Sequence, residues 1–220
     1  MKILIVSATD MEIRPVLNYL GVTAAISHGK IKKYKHKKLE IDILITGVGM
    51  VAMAYYTGKK LNRSYDFALN AGICGSFNTN LKIGAVVNVA EDCFSELGAE
   101  DEDRFLTLNE LNLQGITTVS NFNLSIDSEI MALLPKVNGI TVNTVHGNDI
   151  TIEKVVQKFH PVVESMEGAA FLFSCKEEGV PSIQIRAVSN YVEKRNRENW
   201  NIPLAIKNLN EKIIEILNSF

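Results

Sequence analysis

The residues with chemistry to offer lie where apolar runs give way to polar ones. Glu167 falls where an apolar run, read as a strand ending near Ser165, becomes a helix over Gly168–Glu178. Ser189 and Asn190 fall where the next buried run, Ser182–Val188, gives out. A carboxylate accepts hydrogen bonds or a proton, and an amide both donates and accepts. Ligands of open parallel sheets bind at the carboxyl ends of strands, so a carboxylate and an amide at two such ends mark a candidate site. Glu12 follows the first apolar run, Ile3–Val6. It reads either as a catalytic acid or as the closing residue of a Thr9-x-x-Glu12 capping box. His146 opens a loop through Thr151 and offers either a general base or a hydrogen-bonded structural residue.

The elements that must hold these residues alternate. A helix follows Glu12 to about Leu20, with Pro15 tolerated only in its first turn. Thr23–Ser27 and Ile31–Tyr34 suit a hairpin around His28-Gly29, and the lysines from Lys30 to Lys38 suit a solvated edge strand. Leu39–Thr46 reads as a strand ending in Gly47-Val48-Gly49, ahead of a helix over Val51–Leu61. Phe67–Asn70 reads as a strand ending in Ala71-Gly72-Ile73-Cys74-Gly75-Ser76. Such glycine-rich ends suit close backbone approach to a ligand at Gly72, phosphate at a helix N-terminus, or plain tight turns. Neither is followed by the pattern of a dinucleotide fingerprint. Gly84–Ala90 is a further strand, and the acidic stretch Glu91–Arg104 reads as a surface excursion able to lid a pocket. Thr117–Ser120 and Ile140–Val145 read as strands with a short helix near Ser128–Leu134 between them. Gly179-Val180-Pro181 stops the helix before the last strand. Pro203 opens a closing amphipathic helix. Alternation of this kind implies one three-layer α/β domain over residues 1–220.

The totals narrow the function. The chain has 220 residues, is 46% hydrophobic and carries a net charge of −2, which gives no electrostatic case for nucleic acid or an anionic membrane. Its three cysteines, Cys74, Cys93 and Cys175, lack disulfide or metal spacing and read as buried thiols of a cytoplasmic protein. No run approaches a membrane span, and the apolar start is too short for a signal peptide.

Taken together, Met11-Glu12, Thr46-Gly-Val-Gly, Asn70-Ala-Gly-Ile-Cys-Gly, Ile83-Gly-Ala-Val-Val, Glu164-Ser-Met-Glu-Gly-Ala-Ala and Arg186-Ala-Val-Ser-Asn190 resemble the nucleoside phosphorylase and nucleosidase superfamily. Its hydrolase branch includes methylthioadenosine/S-adenosylhomocysteine nucleosidase. The resemblance spans essentially the whole chain, and the C-terminal part is most similar to the futalosine hydrolase family. It implies a mixed, twisted sheet partly closed into a barrel and flanked by helices, in a homodimer or larger homo-oligomer. It also implies a purine nucleoside and water as substrates, with no metal or organic cofactor. Futalosine would be cleaved to hypoxanthine and a dehypoxanthinyl product on a route to menaquinone.

Carried over residue by residue, the resemblance makes Glu12 the acid that activates water and moves it away from a mere helix cap. Glu167 would grip the ribose hydroxyls with Met166 packed against the sugar, and Arg186 and Ser189 would support from the last strand. Thr151-Ile152 would present backbone to the purine. At Asn190 the sequence departs from methylthioadenosine nucleosidases, which carry Asp. An amide donates to O6 and accepts from a protonated N7, whereas an ionised Asp only accepts, so Asn190 favours a 6-oxopurine. The alternatives are another purine nucleosidase, a 6-oxopurine phosphorylase in which Arg14 helps bind phosphate, or a nucleoside-binding protein without turnover. The residue that meets the carboxyphenyl group of futalosine is left open among Arg104, Lys82 and a residue of a partner subunit.

Overall fold

A computed structural model describes the chain at residues 1–21, 26–28, 31–122 and 129–220. Its strands are β1 (Lys2–Ser7), β2 (Ile26–His28), β3 (Ile31–His36), β4 (Leu39–Ile45), β5 (Phe67–Ser76), β6 (Val86–Phe94), β7 (Gly98–Asp101), β8 (Arg104–Thr107), β9 (Thr118–Ser120), β10 (Lys136–Thr141), β11 (Val163–Ser165) and β12 (Ser182–Tyr191). The helices are α1 (Asp10–Leu20), α2 (Met50–Lys60), α3 (Glu129–Ala132), α4 (Asp149–Phe159), α5 (Gly168–Glu178) and α6 (Ile202–Asn218). Residues 23–25 and 29–30 of the expected hairpin, and Ser128 of the expected short helix, lie outside the described residues.

The sheet runs β11-β10-β6-β12-β5-β1-β4-β3-β2, and β11 also pairs with β5. That last pairing closes β5, β12, β6, β10 and β11 into a barrel, from which β1, β4, β3 and β2 extend as an open wing. The pairing is mixed: β5–β12 and β1–β5 are parallel, and β6–β12 and β5–β11 antiparallel. Register shifts at Val137/Asn138 and Val188/Asn190 bend the strands as closure requires. β1 explains the three layers. Ile3 and Ile5 pack against α1 and α6 through Ile13, Val16, Leu209 and Ile213. Leu4 and Val6 face the other way, toward Met53 of α2 and Phe171, Leu172 and Cys175 of α5. Side chains of a strand alternate between faces, so an unbroken apolar run is what burial on both faces demands. Each such side chain contributes about 1.5–3 kcal/mol on burial.

Five sequence expectations change. β5 does not end at Asn70: Ala71–Ser76 stays in the sheet, paired with Ile185–Tyr191 of β12. Glu91–Phe94 likewise continues β6, with Asp92 fully buried, and only the β7–β8 hairpin beyond it is a surface excursion. The lysine-bearing β3 is not the edge, because β2 lies outside it. The loop expected through Thr151 ends at Asn148, whose side chain caps α4 by accepting from the backbone of Ile150 and Thr151. Pro15 lies beyond the first turn of α1.

The helix tolerates Pro15 there because α6 supplies the missing hydrogen bonds. Asn210 of α6 reaches into α1, donating from Nδ2 to the Glu12 carbonyl at 2.7 Å and accepting at Oδ1 from the Val16 N–H at 3.1 Å. An uninterrupted helix would pair those two backbone groups with each other. The amide completes the hydrogen bonding of a helix that Pro15 disturbs. Asn210→Ala strands both groups in the core and should cost about 1–3 kcal/mol, read as a lower urea midpoint with an unchanged m-value. Among the described residues no helix is long and apolar enough to cross a membrane.

Candidate active site

Where β1 ends, Thr9 caps α1 and Glu12 stands at its third position. The capping box is real. Thr9 Oγ1 accepts from the Glu12 N–H at 3.3 Å, and Glu12 Oε2 accepts from the Thr9 N–H at 3.0 Å and from Thr9 Oγ1 at 2.7 Å. Its other oxygen, Oε1, accepts from the Ile73 N–H of β5 at 3.2 Å. The carboxylate is 7% exposed and lines a cavity of about 290 Å³. Capping and site membership are therefore compatible, since the cap fixes the carboxylate at the mouth of the barrel.

Glu167 lines the same cavity from the start of α5. It is the residue before α5 but makes no side-chain cap. Its Oε1 instead accepts from the Gly49 N–H, at the turn after β4, at 3.0 Å. The glycine-rich end of β4 thus binds a protein carboxylate. Burial pushes the Glu167 carboxyl above its usual range, while the Arg186 charge and the Gly49 bond oppose that push.

The bulge in β12 positions the amide. Successive strand residues ordinarily face opposite ways, yet Ser189 and Asn190 both line the cavity, because Ser189 is the extra residue between two paired ones. Ser189 Oγ lies 3.1 Å from the Cys74 carbonyl and 2.8 Å from Asn190 Oδ1, and Asn190 Nδ2 donates to the Tyr191 carbonyl at 3.0 Å. Asn190 stands opposite Gly75, and so, from the other neighbouring strand, does Glu164. A methyl group on Gly75 would lie 3.3 Å from Asn190 Nδ2 and 3.6 Å from Glu164 Cγ. These strand glycines make room for side chains and do not turn the chain.

Arg186 does not line the cavity. Its guanidinium, 1% exposed, crosses the barrel interior against Gly72, its register partner, where a methyl group would lie 1.9 Å from Nη1. Nε donates to Gln184 Oε1 at 2.9 Å and Nη2 to Asn70 Oδ1 at 2.5 Å. Gln184 Nε2 and Thr141 Oγ1 in turn donate to Asp92, each at 2.9 Å. This relay lies behind Glu12 and Glu167 and supports them from within.

Of the residues expected at the site, Glu12, Met166, Glu167, Ser189 and Asn190 come together around the cavity. Arg186 and Gly72 sit behind it. Thr151 and Ile152 are not brought there: both belong to α4, and Thr151 spends its N–H and hydroxyl on capping bonds to Asn148. The loop before α4 supplies Val145 and His146 instead, alongside Glu164, Arg195 and Trp200. His146 Nδ1 lies 2.7 Å from Glu164 Oε2, and the His146 N–H donates to Glu164 Oε1 at 3.1 Å. Glu164 was legible as an acid inside an apolar strand, and 18 residues of separation hid its partner. Arg14 is turned away, exposed and paired with Asp10. Arg104 pairs with Asp101 at the far hairpin. Among the described residues no cluster of His, Cys, Asp and Glu is grouped as metal ligands would be.

No protein-family model matches the chain. It is 32% identical to futalosine hydrolase of Acidothermus cellulolyticus over 221 aligned positions, covering 94% of this chain and 87% of that one. The chain belongs to the futalosine hydrolase family. A second futalosine hydrolase, from Streptomyces coelicolor, is 30% identical over 81% of this chain and 80% of its own. A solved structure of native futalosine hydrolase from Helicobacter pylori superposes with a TM-score of 0.85 over all of this chain and 98% of that one, at 18% identity, so that its likeness speaks for the fold. As a member of the futalosine hydrolase family the chain is an N-glycosyl hydrolase acting on a small nucleoside.

Proposed function

We propose that the chain hydrolyses the N-glycosidic bond of futalosine and releases hypoxanthine. The observation that carries the reading is the cavity itself, in which two buried carboxylates face an amide. Glycosidic cleavage passes through an oxocarbenium-like sugar and needs an oriented water, a grip on the ribose and help for the departing base. Glu12, held by Thr9 and Ile73, orients and deprotonates water. Glu167 accepts from the ribose hydroxyls with Met166 against the sugar, and its negative charge favours the cationic sugar. Asn190 reads the 6-oxopurine, donating to O6 and accepting from N7–H. Arg186 and Gly72 hold the carboxylates' surroundings from behind. The purine-facing backbone falls to Val145-His146 in place of Thr151-Ile152.

Hydrolysis is favoured over phosphorolysis because Glu12 would repel phosphate and Arg14 is engaged with Asp10 on the surface. The apolar groove beside the site, with exposed Val51 and partly buried Phe173, supports a homo-oligomer. The test is chromatography of released bases from futalosine, aminofutalosine, inosine and methylthioadenosine, each with and without phosphate. Hypoxanthine from futalosine irrespective of phosphate is the expected result, and phosphate dependence would sink the hydrolase reading.

Asn190→Asp supplies a sharper check of base recognition. An ionised carboxylate would set lone pairs against O6, so kcat/KM for futalosine should fall about 10⁴-fold, the scale on which polar groups left unpaired discriminate. Aminofutalosine should lose less or gain. Equal losses on both substrates would mean that the amide does not read the 6-position.

A further inference from the structure

Hypoxanthine is a poor anion to expel, and cleavage is eased when the base takes a proton as the bond to the sugar breaks. Asn190 cannot supply it, because an amide donates a hydrogen bond without giving up the proton. The groups around the cavity that exchange protons near neutral pH are few. Burial pushes the Cys74 thiol up to about 12, and an arginine such as Arg195 stays charged. Glu12 is committed to water and Glu167 to the ribose. Glu164 is bonded to His146 through both oxygens. His146 remains.

We infer that His146, oriented by Glu164, is the general acid that protonates the departing purine. The inference rests on the hydrolase reading above. Its geometry is that of an acid paired with an orienting carboxylate. Glu164 is 3% exposed and takes Nδ1, which fixes the orientation of the ring and leaves Nε2 to the cavity. Among the described residues Nε2 has no protein partner, and the side chain is 16% exposed, on the cavity wall. The shared approach of Glu164 and Asn190 to Gly75 puts the pair at the end of the cavity where the base is read. Phe77 packs against the imidazole in a T-shaped arrangement, with ring centroids 6.3 Å apart. In the step, the C1′–N9 bond breaks with its electron pair going to the base. Water oxygen bonds to C1′ as its proton passes to Glu12, and the Nε2 proton moves to a ring nitrogen of the purine. Hypoxanthine leaves neutral, and exchange with solvent resets Glu12 and His146.

The charged groups around His146 are Glu164 of β11 and Arg195, whose backbone N–H lies 3.3 Å from the Gly147 carbonyl; Glu12 and Glu167 lie on the same cavity wall. The N-terminus of α4 follows two residues later. Of these only Glu164 touches the imidazole directly. The experiment is the pH profile of kcat and KM for His146→Gln, Glu164→Gln and the unaltered protein, on futalosine and on inosine, with near-ultraviolet dichroism to check folding. Unaltered protein should lose kcat as pH rises through the titration of the acid. His146→Gln should lower kcat about 10²–10⁴-fold, keep KM within a few-fold and abolish that alkaline limb. Glu164→Gln should move the limb to lower pH. A limb unchanged in either variant, or a raised KM at unchanged kcat, overturns the inference while leaving the hydrolase intact. Failure of the unaltered protein to cleave either nucleoside overturns the hydrolase reading itself, and this step with it.

Discussion

The Glu12→Gln variant should fold, bind futalosine and fail to turn it over, with kcat lower by about 10²–10⁴-fold, the range a positioned base contributes. The expectation is unusually clean because both readings of this residue hold at once. A capping box accepts Gln as readily as Glu at its last position, so the amide oxygen can still receive the Thr9 N–H and hydroxyl or the Ile73 N–H. What disappears is one of those two sets of bonds, and with it the capacity to take a proton from water. Thr9→Ala makes the converse change, removing the cap and leaving the carboxylate. It should cost about 0.5–2 kcal/mol of stability and far less activity. Urea midpoints and single-turnover rates measured on both variants separate the two roles. Turnover retained in Glu12→Gln would mean that another group activates water, and would return Glu12 to the status of a helix cap.

That double role marks the limit of what spacing discloses. Thr9-x-x-Glu12 is equally a cap and a site, and only the arrival of Ile73 from β5, 61 residues away, shows the carboxylate pinned at a cavity. The alternation of buried strands and helices was legible because burial on both faces leaves unbroken apolar runs such as Ile3–Val6. Closure of the barrel was not, since β11 has three residues and its pairing with β5 depends on where distant strands bend. The glycines misled for a related reason. Ala71-Gly72-Ile73-Cys74-Gly75 looks like a turn, because nothing local reveals that Arg186, Asn190 and Glu164 need the space above Gly72 and Gly75. Asn148 ahead of Ile152, Val155 and Phe159 was a readable start signal for α4. The resemblance placed Thr151-Ile152 against the purine, and that start signal puts both residues inside α4 instead.

The relay behind the site gives the largest expected effect on stability. Arg186 is the cation that Asp92, Glu167 and Cys74 all feel in the barrel interior. Arg186→Met keeps most of the side-chain volume and removes the charge, which leaves buried carboxylates without compensation. Breaking such an arrangement by deleting one partner costs about 3–5 kcal/mol. The loss should depend on pH, with a sign fixed by Asp92. Burial raises its carboxyl to about 6 even with Arg186 beside it and with Gln184 and Thr141 donating to it. A carboxyl raised in the folded state binds its proton more tightly there than when unfolded. Its contribution is therefore complete below about pH 4 and is lost as pH rises through about 6, a swing of about 3 kcal/mol. Glu167 is raised for the same first cause and moves in the same direction. Without Arg186 both carboxyls go higher still, so the variant should be weakest at pH 7.5 and recover part of its deficit at pH 5. Urea unfolding of the variant and the unaltered protein at those two pH values reads the difference directly. An equal deficit at both would mean that Arg186 only fills space between Gly72 and Asn70. A deficit that shrinks on acidification identifies its charge as what lets Asp92 stay buried behind the site and Glu167 within it.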